Sequence, residues 1–478
     1  MATHSQLYEE LAKIVGEDRV SDSDHELLCY AKDRMPLPDR LKFKWKPHVV
    51  VIPKTNEHCV EIIKLASRTK TPIVPRGAGT GYNGGVIPTR GGIVLTTVDM
   101  DEIIEIDEEN MTVTAQAGVV LETLEKELNK RRLRLGDDPY PRQSATIGGR
   151  VSTNGVGYLV SRYGHVQDMV WGLAVILPDG ELVRMGGKYR KSSSGFDLKH
   201  LFIGAGGALG LVTEVLLKVY PMPEVPMEMH CLKCKSFRAG LRIIDRIIRK
   251  DLTTAFLRIY DSAALPHFMG VDSGSVGTRM SPEEALVLVG FEGVRELVEI
   301  QKKIVMKLAM EEGAEILDRK IAQEFWEKRH KFGTSKLTQS SMDFTEEFSI
   351  PFSEMETFQK RSMNILKKHS LRSGGAGAGR RDGRDSLNEA GITYFIDERD
   401  EDEFARYEKA QDELVALSVE LGGAITAAHG VGLRLVKYMQ AQHGSSLNLM
   451  RRIKQMLDPY NIMNPDKVVP AETNHAIE

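Results

Sequence analysis

The sequence predicts a protein of mixed helices and strands arranged as two or three domains. Three observations predict it. A chain of 478 residues is longer than one hydrophobic core usually organises. Some stretches repeat apolar residues at helical spacing, while others are short β-branched runs. Glycine clusters at 75–88, 141–168 and 202–221 interrupt or adjoin strand-like segments in the first half, where a bare backbone can approach a ligand closely.

The elements follow in order. "NEHCVEIIKLASRTK" (56–70) reads as an amphipathic helix and "TPIVP" (71–75) as a buried strand. The loop "PRGAGTGYNGGVIP" therefore leaves a strand end, where successive N–H groups can form an anion-binding nest suited to phosphate. A surface loop is the bland alternative. Gly79, Gly81 and Gly84 spell GxGxxG, with Asp99 and Asp101 further on, but a nicotinamide-binding unit needs a helix to begin within the glycines. None does: "VIPTRGG" follows, then "IVLTTV", another strand. In the second cluster, small residues leave room for something flat and wide, with hydroxyls and amides to meet a polar edge. "MVWGLAVILPDGELVRMGG" reads as a hairpin turning at Asp179-Gly180, a favoured turn pair. The third cluster runs from glycines into a strand. Beyond residue 222, "FRAGLRIIDRIIRK" and "RELVEIQKKIVMKLAMEEG" are helices by periodicity, and "LRSGGAGAGRRDGRDS" (371–386) reads as a mobile, basic, glycine-rich loop.

A net charge of -3 offers no broad basic surface for nucleic acid. The first residues lack a cationic segment followed by an apolar core, and no apolar run reaches membrane-spanning length, so a soluble cytoplasmic protein is expected. Four cysteines make no disulfide framework. "CLKC" (231–234) lacks a second pair for a tetrahedral metal site, and ordinary strand residues are set against a redox or metal role.

The ordered motifs "PRGxGTGxxGG", "TIGGxxxxNxxGxxxxRYG", "GxxGxLGxxTE", "HGVG" and "LDPxNIxNPxK" resemble those of the FAD-linked oxidases of the vanillyl-alcohol oxidase superfamily. Within it the chain is most similar to the branch of D-lactate, glycolate-oxidase-subunit and D-2-hydroxyglutarate dehydrogenases. The resemblance implies an α+β fold. Residues 1–221 would form a two-subdomain, PCMH-type FAD-binding domain, 222–420 a cap or substrate domain with a large antiparallel sheet, and 421–478 a segment returning to complete the FAD-binding half. FAD would be held by Pro75, Arg76, Gly77, Ala78, Gly79, Thr80, Gly81, Asn83, Gly84 and Gly85 at the pyrophosphate. Ser144, Ala145, Thr146, Gly148, Gly149, Asn154, Gly157, Tyr163 and Gly164 would lie along the ribityl chain and flavin ring, with Gly210, Val212 and Asn464 completing the site. Attachment would be noncovalent, because Thr80 stands where covalent-histidine relatives carry a histidine.

"AQEFWEKRHKFG" matches the family's W-x-x-R segment, which puts Arg329 at a substrate carboxylate; a solvated helix arginine is the alternative. Guanidinium suits a carboxylate through two parallel charged hydrogen bonds. Glu346 and Glu347 occupy the acidic position of the following strand. Metal-dependent members carry an H-x-G-D-G-N-x-H run and a Glu before the "HG". Here the corresponding run has no histidine and Ala428 precedes His429, so no metal is expected, and Arg380, Arg381 and Arg384 are candidates for its electrostatic role. A neutral imidazole can take the hydroxyl proton while hydride leaves carbon, and the resemblance makes His429, within "HGVG", the candidate base; a structural histidine is the alternative. The implied partners are a small carboxylate substrate and an electron acceptor, either a quinone or a protein such as an electron-transfer flavoprotein or iron-sulfur subunit, in a homo-oligomer. Two other readings stay open: a flavin-dependent transferase resembling alkyldihydroxyacetonephosphate synthase, and a non-catalytic flavoprotein subunit.

Overall fold

The computed structural model describes residues 4–264, 280–330, 342–381 and 387–470. The fold is α+β, organised by three main sheets.

The first sheet runs Val20–Ser21, Val49–Val51, Ile93–Thr96, Ile73–Arg76, the last three parallel. Its parallel strands are buried along nearly their whole length, which is why they read as continuous β-branched runs. The helix Asn56–Thr69 crosses over between two of them. Thr55 caps it by accepting from the His58 N–H, and Cys59, Ile62, Ile63 and Ala66 are buried at helical spacing. On the glycine side the strand Ile73–Arg76 receives the C-terminal segment: the Ile73 N–H donates to the Ile462 carbonyl and the Asn464 N–H to the Ile73 carbonyl, both at 2.7 Å.

The second sheet is antiparallel, in the order Ile103–Asp107, Thr112–Gln116, Leu211–Lys218, Val170–Ile176, Leu182–Gly186. The hairpin turns at Asp179-Gly180 as expected, with Gly180 at φ +90°. The helix Ile147–Thr153 packs on this sheet. It starts inside the second glycine cluster, capped by Thr146, in a segment that sequence reading left without an element.

The third sheet has seven antiparallel strands: Glu315–Ile316, Val225–Cys234, Ala285–Gly293, Phe256–Asp261, Arg372–Arg381, Leu387–Ile396, Met342–Ser349. Alternation assigns its two faces. Leu257 and Ile259 pack into the helix-covered core with Phe237, Val305, Phe358 and Leu414. Phe256 and Tyr260 face the other way, toward Leu159, Phe325 and Trp326. Cys231 joins the second face and Cys234 the first. Burial raises both thiols, Cys234 to about 12, so they behave as apolar strand residues.

The expectation of a mobile loop at 371–386 is corrected. Arg372–Arg381 is a strand paired with Leu387–Ile396 and with Phe256–Asp261, while 382–386 lie outside the described residues, as do the side chains of Arg380 and Arg381. The glycines are there because the neighbouring strands carry bulk. A Cβ at Gly377 would sit 2.8 Å from the Tyr260 ring, and one at Gly379 2.6 Å from Arg258 Cγ.

Candidate active site

A cleft of about 250 Å³ lies among the glycine loop, the second glycine cluster and the second face of the seven-stranded sheet. Gly77, Ala78, Gly79, Thr80, Gly81, Asn83 and Gly85 line one side, and Ala145, Thr146, Gly149 and Gly157 the other. Arg258, Thr345, Glu347 and His429 come from the sheet side. At the mouth the Arg34 guanidinium lies 4.6 Å from the Tyr82 ring and 5.9 Å from that of Tyr140.

The strand Met342–Ser349 sorts its residues by alternation. Thr345 and Glu347 face the cleft, whereas Phe344 and Phe348 join the core. Glu346, on that core side, pairs with the buried Arg434 and accepts from Gln411 Nε2 at 2.7 Å. Burial opposes the charge on Arg434, but Glu346, Tyr407 and Tyr394 more than offset it. Arg434 Nε in turn donates to Asn83 Oδ1 at 2.8 Å, so a charged network under the floor grips the glycine loop.

His429 is placed by main-chain bonds. Ala424 and Ser349 exchange N–H···O bonds at 2.8 and 3.2 Å, and the Ala427 N–H donates to the Glu347 carbonyl at 2.9 Å. This edge pairing brings His429 Nε2 to 3.3 Å from Glu347 Oε2. The imidazole packs on Tyr82 with ring centroids 4.9 Å apart, and Asn83 Nδ2 donates to the next carbonyl, that of Gly430.

The remaining expected site residues sit outside the cleft lining. Pro75 packs against Gly207, and Arg76 Nη1 donates to the Lys32 carbonyl at 3.1 Å. Gly84 is wedged at φ +73°, where a Cβ would stand 2.7 Å from Met35 Sδ and 2.9 Å from Leu433 Cβ. Ser144 is exposed. Gly148 abuts Ala117, and Gly164 turns the chain against Asp168. Asn154 ends the helix Ile147–Thr153 and bonds Gln167. Tyr163 donates to Glu292 Oε1 at 2.7 Å, joining the second cluster to the large sheet. Gly210 and Val212 belong to the second sheet's packing. Asn464 Nδ2 donates to the carbonyls of Gly85 at 2.9 Å and Gly206 at 2.6 Å, clamping two glycine clusters together. Arg329 does not line the cleft: its Nε donates to Asp138 Oδ2 at 2.8 Å and Nη1 to the Trp326 carbonyl at 2.7 Å. Burial opposes the Asp138 charge, yet the His330 hydrogen bond and the Arg329 charge hold that carboxyl well below its usual range.

Sequence reading missed Asp33, Arg34, Tyr82, Tyr158 and Arg258. Asp33 is a buried carboxyl that burial lifts to about 6, against the pull of the Met35 N–H. Asp33 and Arg34 fall in residues 30–48, which carry neither a periodicity nor a motif; Tyr82 and Tyr158 fall at variable positions of the first two glycine motifs, and Arg258 in a strand that no motif covers.

A family model described as FAD binding domain matches residues 47–186, and one described as FAD linked oxidases, C-terminal domain, matches 227–468. The chain is 31% identical over 468 residues to the glycolate oxidase subunit GlcD of Bacillus subtilis, covering 96% of each. It is 29% identical to a D-lactate dehydrogenase of Archaeoglobus fulgidus, over 88% of this chain and 91% of that one. The solved structure of p-cresol methylhydroxylase with substrate bound shares the fold, with a TM-score of 0.79 at 20% identity, over 99% of this chain and 98% of that one.

Proposed function

Because the chain belongs to the FAD-linked oxidases, an FAD-dependent oxidoreductase, we propose that it oxidises a small 2-hydroxy acid of the D-lactate or glycolate type. In this reading the reaction needs no metal ion, and the electrons pass to a protein or quinone acceptor. The observation that carries it is the His429 and Glu347 pair on the sheet side of a cleft whose opposite wall is bare main chain.

The residues present fit FAD. A Cβ added at Gly85 would meet nothing within 4 Å, and one at Gly81 only Asp33 Oδ2 at 3.6 Å. These positions leave open space a side chain would fill, next to N–H groups that can receive a pyrophosphate. Gly77 to Gly81 with Asn83 and Gly85 would hold the phosphates, and Ala145, Thr146, Gly149 and Gly157 the flavin end. Thr80 in this loop supports noncovalent attachment. Residues 1–221 together with 421–478 would make the cofactor half, and 222–420 the cap.

When bound, FAD supplies the hydride acceptor. His429, uncharged, accepts the substrate hydroxyl proton at a ring nitrogen. Glu347 orients the ring and stabilises its protonated form, as a carboxylate behind a catalytic imidazole does. Metal independence is supported by Ala428 preceding His429 and by the absence of histidine from residues 374–395. Anaerobic mixing of the holoenzyme with a panel of 2-hydroxy acids tests the reading: the yellow flavin absorbance should bleach with at least one. A flavin that no hydroxy acid bleaches would refute it and favour a transferase or a non-catalytic subunit.

A further inference from the structure

We propose that Arg258 is the receptor for the substrate carboxylate, an inference that deepens the 2-hydroxy acid reading and rests on it. Alternation along Phe256–Asp261 sends Arg258 to the cleft, on the same side of the sheet as Thr345 and Glu347. The residue is 8% exposed. Its Nη1 donates to Tyr260 Oη at 3.3 Å, a long bond, and its buried Nη2 finds no hydrogen-bond partner among the described residues. Guanidinium remains charged in proteins; burial opposes that charge, and Tyr260, the Glu389 carboxylate and Tyr158 offset it, but none of them accepts from Nη2, and a buried donor without an acceptor is costly. An anion entering the cleft removes that cost, and a carboxylate matches the planar fork.

The group is also held in place before anything binds. The guanidinium carbon lies 4.9 Å from the Tyr158 ring and 5.3 Å from the Phe256 ring, contacts that favour the cation and restrict its tilt. Its aliphatic stem lies over Gly379, where a Cβ would come within 2.6 Å of Cγ. The bare strand Arg372–Arg381 thus gives the stem its room.

Among the described residues, two other arginines line the cleft, Arg34 and Arg150, and Arg329 lies beside it. Arg150 makes two 2.8 Å bonds to Asp137, Arg34 stacks on Tyr82 at the mouth, and Arg329 is bonded to Asp138 and Trp326.

The test titrates the oxidised holoenzyme with pyruvate and oxamate, carboxylates with no hydrogen on the neighbouring carbon and so no hydride for the flavin, by calorimetry and by the flavin spectrum. In Arg258→Met the affinity should fall on the order of 10- to 100-fold, the loss of a charged hydrogen-bonding partner. KM for D-lactate should rise in parallel, and the preference for lactate over neutral lactamide should disappear. Arg258→Lys, which keeps the charge without the fork, should lose about tenfold and carries the test if the methionine variant fails to fold. Affinity within about threefold of wild type in a folded, FAD-replete variant overturns the proposal while leaving the hydroxy-acid reading intact. A wild type that no hydroxy acid bleaches, yet binds pyruvate through Arg258, overturns that reading and keeps the receptor. A wild type that binds no carboxylate overturns both.

Discussion

Gly84 and Gly85 are adjacent glycines with opposite roles, and valine at each should separate folding from cofactor binding. At Gly84 the backbone is at φ +73° and an added Cβ meets Met35 Sδ at 2.7 Å and Leu433 Cβ at 2.9 Å. A β-branched residue there incurs about 1–3 kcal/mol of backbone strain plus about 1–3 kcal/mol of overpacking. Gly84→Val should therefore lower the melting temperature of the protein even without FAD. Gly85 has no atom within 4 Å of an added Cβ, so Gly85→Val should fold normally. Its side chain occupies the space assigned to the pyrophosphate and blocks one or two charged hydrogen bonds, worth about 1.5–3 kcal/mol each. A loss of about 3 kcal/mol weakens binding by roughly 10²-fold. The assay is fluorescence titration of the FAD-stripped protein with FAD, beside a melting curve of each variant. Gly85→Val with normal FAD affinity would refute the assignment of this loop to the phosphates.

Four further outcomes are expected. His429→Ala should slow anaerobic flavin reduction by roughly 10²- to 10⁴-fold, and the wild-type rate should fall on the acid side of its pH profile as the imidazole protonates; a rate unchanged in the variant excludes it as the base. Chelation should leave the rate of flavin reduction unchanged, and loss of activity restored by Zn²⁺ or Mn²⁺ would show a metal requirement. Arg434→Met leaves Glu346 buried without its cation and should cost about 3–5 kcal/mol by denaturant titration, with part of the loss recovered when Glu346→Gln is added. Asp33, lifted by burial to about 6, is penalised in the fold only when charged. For the FAD-stripped protein, Asp33→Asn should be the more stable above pH 6, and the two melting curves should converge as pH falls toward the unfolded-state value near 3.9.

Much of the cofactor side was legible because its signals are local. A β-branched run, a glycine loop and a second run without an intervening helix excluded the nicotinamide motif, and the strands Ile73–Arg76 and Ile93–Thr96 lie there. The sheet side was less legible because its signals are long-range. Arg258 reads in "FLRIYD" as a charge in a mostly apolar strand, and its significance comes from Tyr158, far earlier in the chain, and from Gly379, on another strand. The glycines of 374–379 look like a loop in isolation. Only the bulk of Tyr260, Arg258 and Thr393 opposite them explains a strand with no side chains to spare. Likewise the W-x-x-R match located Arg329 but could not reveal Asp138 as its partner.

The C-terminal return has a consequence for how the protein is made. Ile73–Arg76 is the outer strand of the first sheet, and its free edge is covered by Ile462 to Asn464. Until residue 464 leaves the ribosome, that edge offers unpaired, parallel-ready main chain to any other strand, the usual start of intermolecular aggregation. Residues 462–464 both shield the edge and clamp the Gly85 and Gly206 carbonyls together, so a chain stopped short of Asn464 is exposed to self-association.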